Sequence, residues 1–185
     1  MTLGLMRAGL LGGVADLGKL ELIETQTISS AFADFESLGS YNVHLFQLSN
    51  VKPTTTANIG LRLSNDGGSS YISSGYQYAW QRGQSSGSFD EIKSTSRDRI
   101  IIAGDATTTG SFNLYIYAYN LLDSSKYSFF TFQGTSVNST STNYIMNFGS
   151  GVKPTAETHN GVRFGELSFS ALASGTISLY GIAES

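Results

Sequence analysis

The 185-residue chain has no cysteine, two prolines and two histidines. Without cysteine there is no disulfide frame, no zinc–thiolate centre and no thiol nucleophile, and the redox compartment stays open. Charge is scarce too: Asp, Glu, Lys and Arg make up 14% of the residues, where ordinary soluble domains carry about a quarter. A net charge of −3 and a pI near 5.3 leave no basic footprint for nucleic acid or an anionic membrane. Glu, Lys and Arg are few, while Gly contributes 21 residues and Ser plus Thr about a quarter of the chain. That composition argues against a helical bundle.

What is present is apolar and aromatic. Hydrophobic residues are 40% and aromatic ones 12%, enough for a core and unlike the composition of a disordered chain. At 19.8 kDa the size suits one compact domain with at most a short appendage.

Residues 1–18 stand apart. Leu3, Leu5, Met6, Leu10 and Leu11 are interrupted by Gly4, Gly9, Gly12 and Gly13, with Arg7 inside the run. A signal peptide places its basic residues ahead of an unbroken apolar stretch. A spanning helix needs about 20 apolar residues, so no membrane insertion is expected. Each glycine would cost a helix about 1 kcal/mol. The segment is read as an irregular apolar arm that docks on its own domain or on a neighbouring subunit, with a disordered terminus as the alternative.

From Lys19 to Ser185 the pattern is that of one β domain. Ile59, Leu61 and Leu63 alternate with Gly60, Arg62 and Ser64, the period of two of a strand with one buried face. In Ser111–Tyr119, Phe112, Leu114, Ile116 and Ala118 form one face, and Tyr115, Tyr117 and Tyr119 the other. Further strands are expected at Leu20–Thr27, Tyr41–Leu48, Tyr71–Trp80, Arg99–Ala103, Tyr127–Gln133, Tyr144–Phe148, Val162–Phe169 and Thr176–Ile182. The apolar phase flips at Gly165, the signature of a β-bulge. A turn or two of helix is expected near Ala31–Leu38. Many short strands separated by Gly/Ser/Asn turns predict an all-β antiparallel β-sandwich, jelly-roll-like in form. Val51-Lys52-Pro53-Thr54 recurs as Val152-Lys153-Pro154-Thr155, each followed by an apolar-Arg-apolar triplet; chance similarity is an equal reading of this echo.

The motifs that could carry chemistry are weak. Ser64-Asn65-Asp66-Gly67-Gly68-Ser69-Ser70-Tyr71 fits an Asp-box, a hairpin device in which Asp and Ser side chains hold turn amides. Gly83-Gln84-Ser85-Ser86-Gly87 spells the nucleophile elbow of α/β hydrolases, but no helix-length segment follows it. His44 and His159 have no ligand-like spacing. Asp90-Glu91, Asp98 and Asp105 show none of the alternation of a calcium loop, and Asn138-Ser139-Thr140 is a formal glycosylation sequon. No catalytic residue, metal site or cofactor is assigned.

The aromatic stripes are more telling. Tyr76, Tyr78 and Trp80 share the parity of Ile72 and suit either a core or a binding surface. Tyr115, Tyr117 and Tyr119 lie opposite a face that is already apolar, so the strand is buried on both sides or its Tyr face meets another subunit or a ligand. The subunit interface is preferred, because oligomer contacts and sugar platforms use the same residue type.

The apolar start Leu10-Leu11-Gly12-Gly13, the strand Leu20 to Thr27, the hairpin Leu61 to Gly68 and the closing Gly175-Thr176-Ile177-Ser178-Leu179-Tyr180-Gly181-Ile182 resemble small structural proteins of tailed bacteriophages: tail-fibre tips, head fibres and capsid-decoration modules. The resemblance implies a non-enzymatic component of the virion exterior, assembled in the host cytoplasm from several copies, with a trimer favoured. Its expected partners are sister chains, other virion proteins through the arm, and a host-surface glycan if the module is adhesive. The alternative is a cement protein with no ligand; a polysaccharide-degrading enzyme is disfavoured for want of an acid and base pair.

Overall fold

The computed structural model describes residues 18–137, 143–166 and 172–184. Leu3, Leu5, Met6, Leu10 and Leu11 of the expected arm, and the sequon at Asn138, lie outside the described residues. Among those described there are twelve strands and no helix: β1 Leu20–Thr27, β2 Ala33–Phe35, β3 Val43–Pro53, β4 Ala57–Ser64, β5 Tyr76–Gln84, β6 Phe89–Arg97, β7 Ile100–Ala106, β8 Phe112–Tyr119, β9 Ser128–Val137, β10 Tyr144–Lys153, β11 Gly161–Glu166 and β12 Leu172–Ile182. They form two antiparallel sheets, one of eight strands in the order β1-β12-β3-β8-β9-β10-β5-β6 and one of four in the order β2-β11-β4-β7. The chain is an all-β sandwich, as its composition and period-two patterning predict.

Alternation decides which side of each strand is buried. On β8 Phe112, Leu114, Ile116 and Ala118 are buried while Asn113 and Tyr115 are exposed. Three rings knit the sheets together. Phe46 of β3 meets Phe35 of β2 and Phe164 of β11 edge-on, at centroid distances of 5.5 and 5.2 Å. Phe35 and Phe164 meet at 6.0 Å. Each such pair adds about 0.5–1.5 kcal/mol beyond the area it buries.

Two local expectations are corrected. Ala31–Leu38 holds no helical turn: Ala33–Phe35 pairs with Val162–Phe164 as an edge strand of the smaller sheet. Gly165 is no bulge, for the β4–β11 ladder runs unshifted through it, opposite Gly60. Glycine is needed there because the Phe32 ring lies on the strand, and a Cβ would come within 2.6 Å of Phe32 Cδ1. Register shifts fall elsewhere, among them those between Leu48 and Val51 of β3, where Asn50 takes a φ of 53°, and within β12 beside Gly175 at φ 123°. The polar run Phe89–Arg97, to which the sequence assigns no strand, is a full strand on the edge of the larger sheet. Its Asp90, Glu91 and Lys93 suit a strand with one open side.

The sequence echo falls on equivalent places. Each Val-Lys-Pro-Thr ends a strand of the larger sheet, β3 or β10, and each chain then crosses to the smaller sheet as β4 or β11. Those two strands pair with Arg62 directly opposite Arg163.

The arginines organise the outer side of the smaller sheet. Arg163 binds both carboxylate oxygens of Asp34 at 2.7 and 2.6 Å, and its guanidinium lies 3.9 Å from the Tyr71 ring centroid and 4.5 Å from that of Phe32. Arg62 and Arg99 each place Nη2 2.5 Å from Asp98 Oδ2. Hydrogen bonds from Arg99 and then Arg62 hold the Asp98 carboxyl down at about 2, against the opposing effect of its burial. Removing this shared carboxylate takes an ion-pair partner from two guanidiniums, one of them on a side chain only 6% exposed. Asp98→Ala is expected to cost about 2–3 kcal/mol, below the ~3–5 kcal/mol of a fully buried pair because Asp98 is part-exposed. Urea unfolding midpoints of the two proteins measure this.

Candidate functional site

The two outer surfaces differ in kind. The outer side of the smaller sheet carries the Asp34–Arg163 and Arg62–Asp98–Arg99 groups. On the larger sheet β8, β9 and β12 contain no charged residue at all. On its other inner strands, Arg82 and Lys153 share the parity of the buried Trp80 and Ile145, and Lys52 stands at the end of β3 beyond its bulge. The outward positions that remain are Tyr, Phe, Met, Gln, Thr, Ser and aliphatic residues. Among the described residues, every large apolar side chain with high exposure belongs to this face: Leu20, Leu22, Phe89, Tyr115, Tyr127, Phe129, Tyr144, Met146 and Phe148.

Strand pairing assembles the centre. Tyr115 lies opposite Gln133, Tyr117 opposite Thr131 and Tyr119 opposite Phe129. The Tyr115 hydroxyl donates to Gln133 Oε1 at 2.8 Å, and Tyr115 and Tyr117 meet edge-on at 6.0 Å. Tyr119 approaches the Thr131 hydroxyl at 3.4 Å. Beside the tyrosines a shallow depression of about 600 Å³ opens, lined among others by Leu45, Gln47, Asn113, Tyr115, Tyr117 and Gln133. Its walls are amides, hydroxyls and rings, groups that bind without net charge.

The Tyr115–Tyr117–Tyr119 row is thus on the surface, and Tyr76, Tyr78 and Trp80 are in the core, at 0, 5 and 3% exposure. The Tyr76 hydroxyl accepts from the Leu63 amide at 2.8 Å and donates to the Ile72 carbonyl. Burial pushes its pKa up. No binding surface can use these three side chains, and an adhesive reading keeps only the Tyr115–Tyr119 row. Phe129 shares β9 with the more apolar parity of Phe130 and Phe132, a signal that could have found it. On β10 Tyr144, Met146 and Phe148 are themselves the more apolar parity, opposite Asn147, Gly149 and Lys153, so alternation alone points them inward and only the assembled sheet shows them on the surface.

The other motifs resolve into structure. In the Asp-box, Asp66 accepts from the Ser70 amide and hydroxyl at 2.9 and 2.6 Å and from the Ser64 hydroxyl at 2.7 Å. These bonds, Ser70's foremost, hold its pKa at about 2. Gly67 and Gly68 take φ of 71° and 87°, the left-handed conformation such turns require. Tyr71 packs on Arg163. Gly83–Gly87 is the β5–β6 hairpin turn, closed by Gln84 N to Ser88 O and Gly87 N to Gln84 O, with no elbow geometry.

One arrangement looks catalytic on distance alone. Ser128 Oγ is 2.8 Å from His159 Nδ1, and His159 Nε2 is 3.3 Å from Glu157 Oε1. Ser128 and His159 are both fully buried, so a substrate cannot reach the hydroxyl, and an attacking serine needs an open approach. The imidazole is better described as a core polar group with both nitrogens matched. His44 also sits in the core, its Nε2 2.8 Å from the Leu38 carbonyl. Among the described residues no three His, Asp or Glu side chains gather as a metal site would require, and no helix is long and apolar enough to cross a membrane.

Set against protein-family models, curated proteins and solved structures, the chain matches none of them. Function must therefore be argued from the face itself.

Proposed function

We propose that this chain is a non-enzymatic structural protein of the exterior of a bacteriophage particle, an appendage module of tail-fibre or head-fibre type. The observation that supports it is the division of the surface, with exposed apolar and aromatic side chains gathered on the larger sheet, most of whose charged residues stand on its edge strands β1 and β6. A contiguous uncharged aromatic surface is the mark of a protein that works by contact. The buried Ser128–His159 pair offers no alternative in turnover.

The frame agrees with a jelly roll. Setting aside β5, β6, β9 and β10 leaves β1-β12-β3-β8 facing β2-β11-β4-β7. Numbered afresh, those eight strands run 1-8-3-6 and 2-7-4-5, the order of two interlocked Greek keys. The four strands set aside widen one sheet only, and three of them, β5, β9 and β10, add uncharged outward positions to its face.

The test is location. Antibodies against the chain should label intact particles, and peptides of the chain should be found in purified virions. Absence from particles overturns the reading. Release of new reducing ends from host surface polysaccharide by the purified protein would overturn its non-enzymatic part.

A further inference from the structure

We infer that the outer face of the larger sheet is covered by a second copy of this chain, sheet face against sheet face. The inference rests on reading that face as a contact surface, and it names what makes the contact.

Size comes first. The uncharged positions run across β12, β3, β8, β9, β10 and β5. Six strands at about 4.8 Å spacing, each presenting some 25 Å of length, give on the order of 600 Å² of sheet plane before side-chain relief is counted. That approaches the ~800 Å² per partner of a standard stable interface. A single small ligand would fill the depression beside Tyr115 and leave Phe129, Phe148, Met146 and Phe89 in water.

Chemistry then selects the partner. In a symmetric contact each group meets groups of its own patch. A patch bearing unpaired charge would confront itself; here the outward Lys93 and Glu91 of edge strand β6 pair with each other at 2.7 Å, and the central positions carry no charge. Tyr, Gln, Thr, Ser and Asn both donate and accept hydrogen bonds, so a face built from them is complementary to itself. The central positions Tyr115, Tyr117, Thr131 and Gln133 are of this kind, and Phe129 and Phe148 flank them. Elsewhere the surface of a chain with net charge −3 repels its copies and leaves this face as the place to meet. Face-to-face sheets pack about 10 Å apart, a distance that aromatic and Gln side chains bridge.

The experiment uses the full chain. Light scattering at micromolar concentration should give at least twice 19.8 kDa. Tyr115→Lys combined with Phe129→Lys, two exposed positions, should return the chain to one copy with an unchanged circular dichroism spectrum. A wild-type chain that is monomeric overturns the inference. So does association that survives the double substitution, since it must then run through another segment. A second readout guards against a misfolded variant. The chain has no cysteine, so Thr131→Cys on the face and Ser96→Cys on edge strand β6 can each be alkylated alone. In the associated protein Thr131→Cys should react at least tenfold more slowly, and equal rates overturn the inference. Mass and particle location are separate readouts. A chain that assembles by this face but is missing from particles removes the virion reading alone, and a particle protein with an open face removes this inference alone.

Discussion

Gly149→Ala is expected to destabilise the protein by about 3 kcal/mol or more, at the upper end of what overpacking costs. Gly149 of β10 lies directly opposite Trp80 of β5. A Cβ there would stand 2.1 Å from Trp80 Cβ and 2.5 Å from its Cα. Those atoms belong to the strand itself and cannot swing aside. At its far end the indole reaches β7, where a Cβ on Gly104 would come within 2.9 Å of Trp80 Cη2. Trp80 therefore spans from one sheet to the other over two bare backbone positions, and its 3% exposure follows from both. Gly104→Ala should cost less, because a ring edge can tilt where a Cα cannot. At about 2–4 °C per kcal/mol for a chain of this size, Gly149→Ala should melt roughly 6–12 °C below wild type. Ser150→Ala, one residue along and outward-facing, should stay within about 0.5 kcal/mol. Equal melting temperatures for the two variants would mean that Trp80 does not lie across Gly149.

Such notches show where sequence reading stops. Alternation over Phe112–Ala118 was enough to place β8 and its buried side, and Leu20–Thr27 coincides with β1 end to end. The parity that Tyr76, Tyr78 and Trp80 of β5 share with Ile72 left a core and a binding surface both open, and the burial of all three rings decides for the core. Short or polar strands carried no such signal. β2 is three residues long and is held by the pairing of Phe35 with Val162 across the sheet, a partner far away in the chain. β6 alternates polar with polar on an edge, so neither side announces a core. The glycines are the hardest case. Gly181 in the closing Leu-Tyr-Gly-Ile strand is bare because the Tyr41 ring lies 2.2 Å from where its Cβ would be. Nothing local tells such a glycine from one in a turn. The contact face was half legible for the same reason. The Tyr115–Tyr119 row could be seen on its own strand, whereas Phe129 and Phe148 join it only through the β8–β9–β10 ladder.

The largest effect should come from acid. His44 and His159 are both fully buried, and for each desolvation is the foremost influence on the pKa, lowering it. His44 donates from Nε2 to the Leu38 carbonyl, and its Nδ1 has no partner in the core. Protonation would put an unmatched N–H and a positive charge beside the Tyr41 ring. His159 is better placed to accept a proton, since Glu157 faces its Nε2, yet burial and the charge on Lys153 outweigh that attraction. Both imidazoles are then neutral when folded and titrate near pH 6.5 when unfolded. Above that pH neither state binds the protons, and stability is flat. Below it the unfolded chain takes up two protons that the folded chain refuses, so stability falls with a slope of up to about 2.7 kcal/mol per pH unit. The fall ends only as pH passes the depressed folded values. The loss grows with each step in pH until those values are passed, and it is drawn from the ~5–15 kcal/mol that holds a domain together. The depressed carboxylates of Asp66 and Asp98, both at about 2, release their contribution in a separate window below about pH 4. Denaturant midpoints measured between pH 8 and 4.5 should show the plateau and the break. His44→Gln keeps a donor for the Leu38 carbonyl and removes one titration, so it should halve the slope below the break. An unchanged slope in that variant would show that His44 is not one of the two groups, and a flat profile down to pH 5 would show that neither histidine is sealed from water.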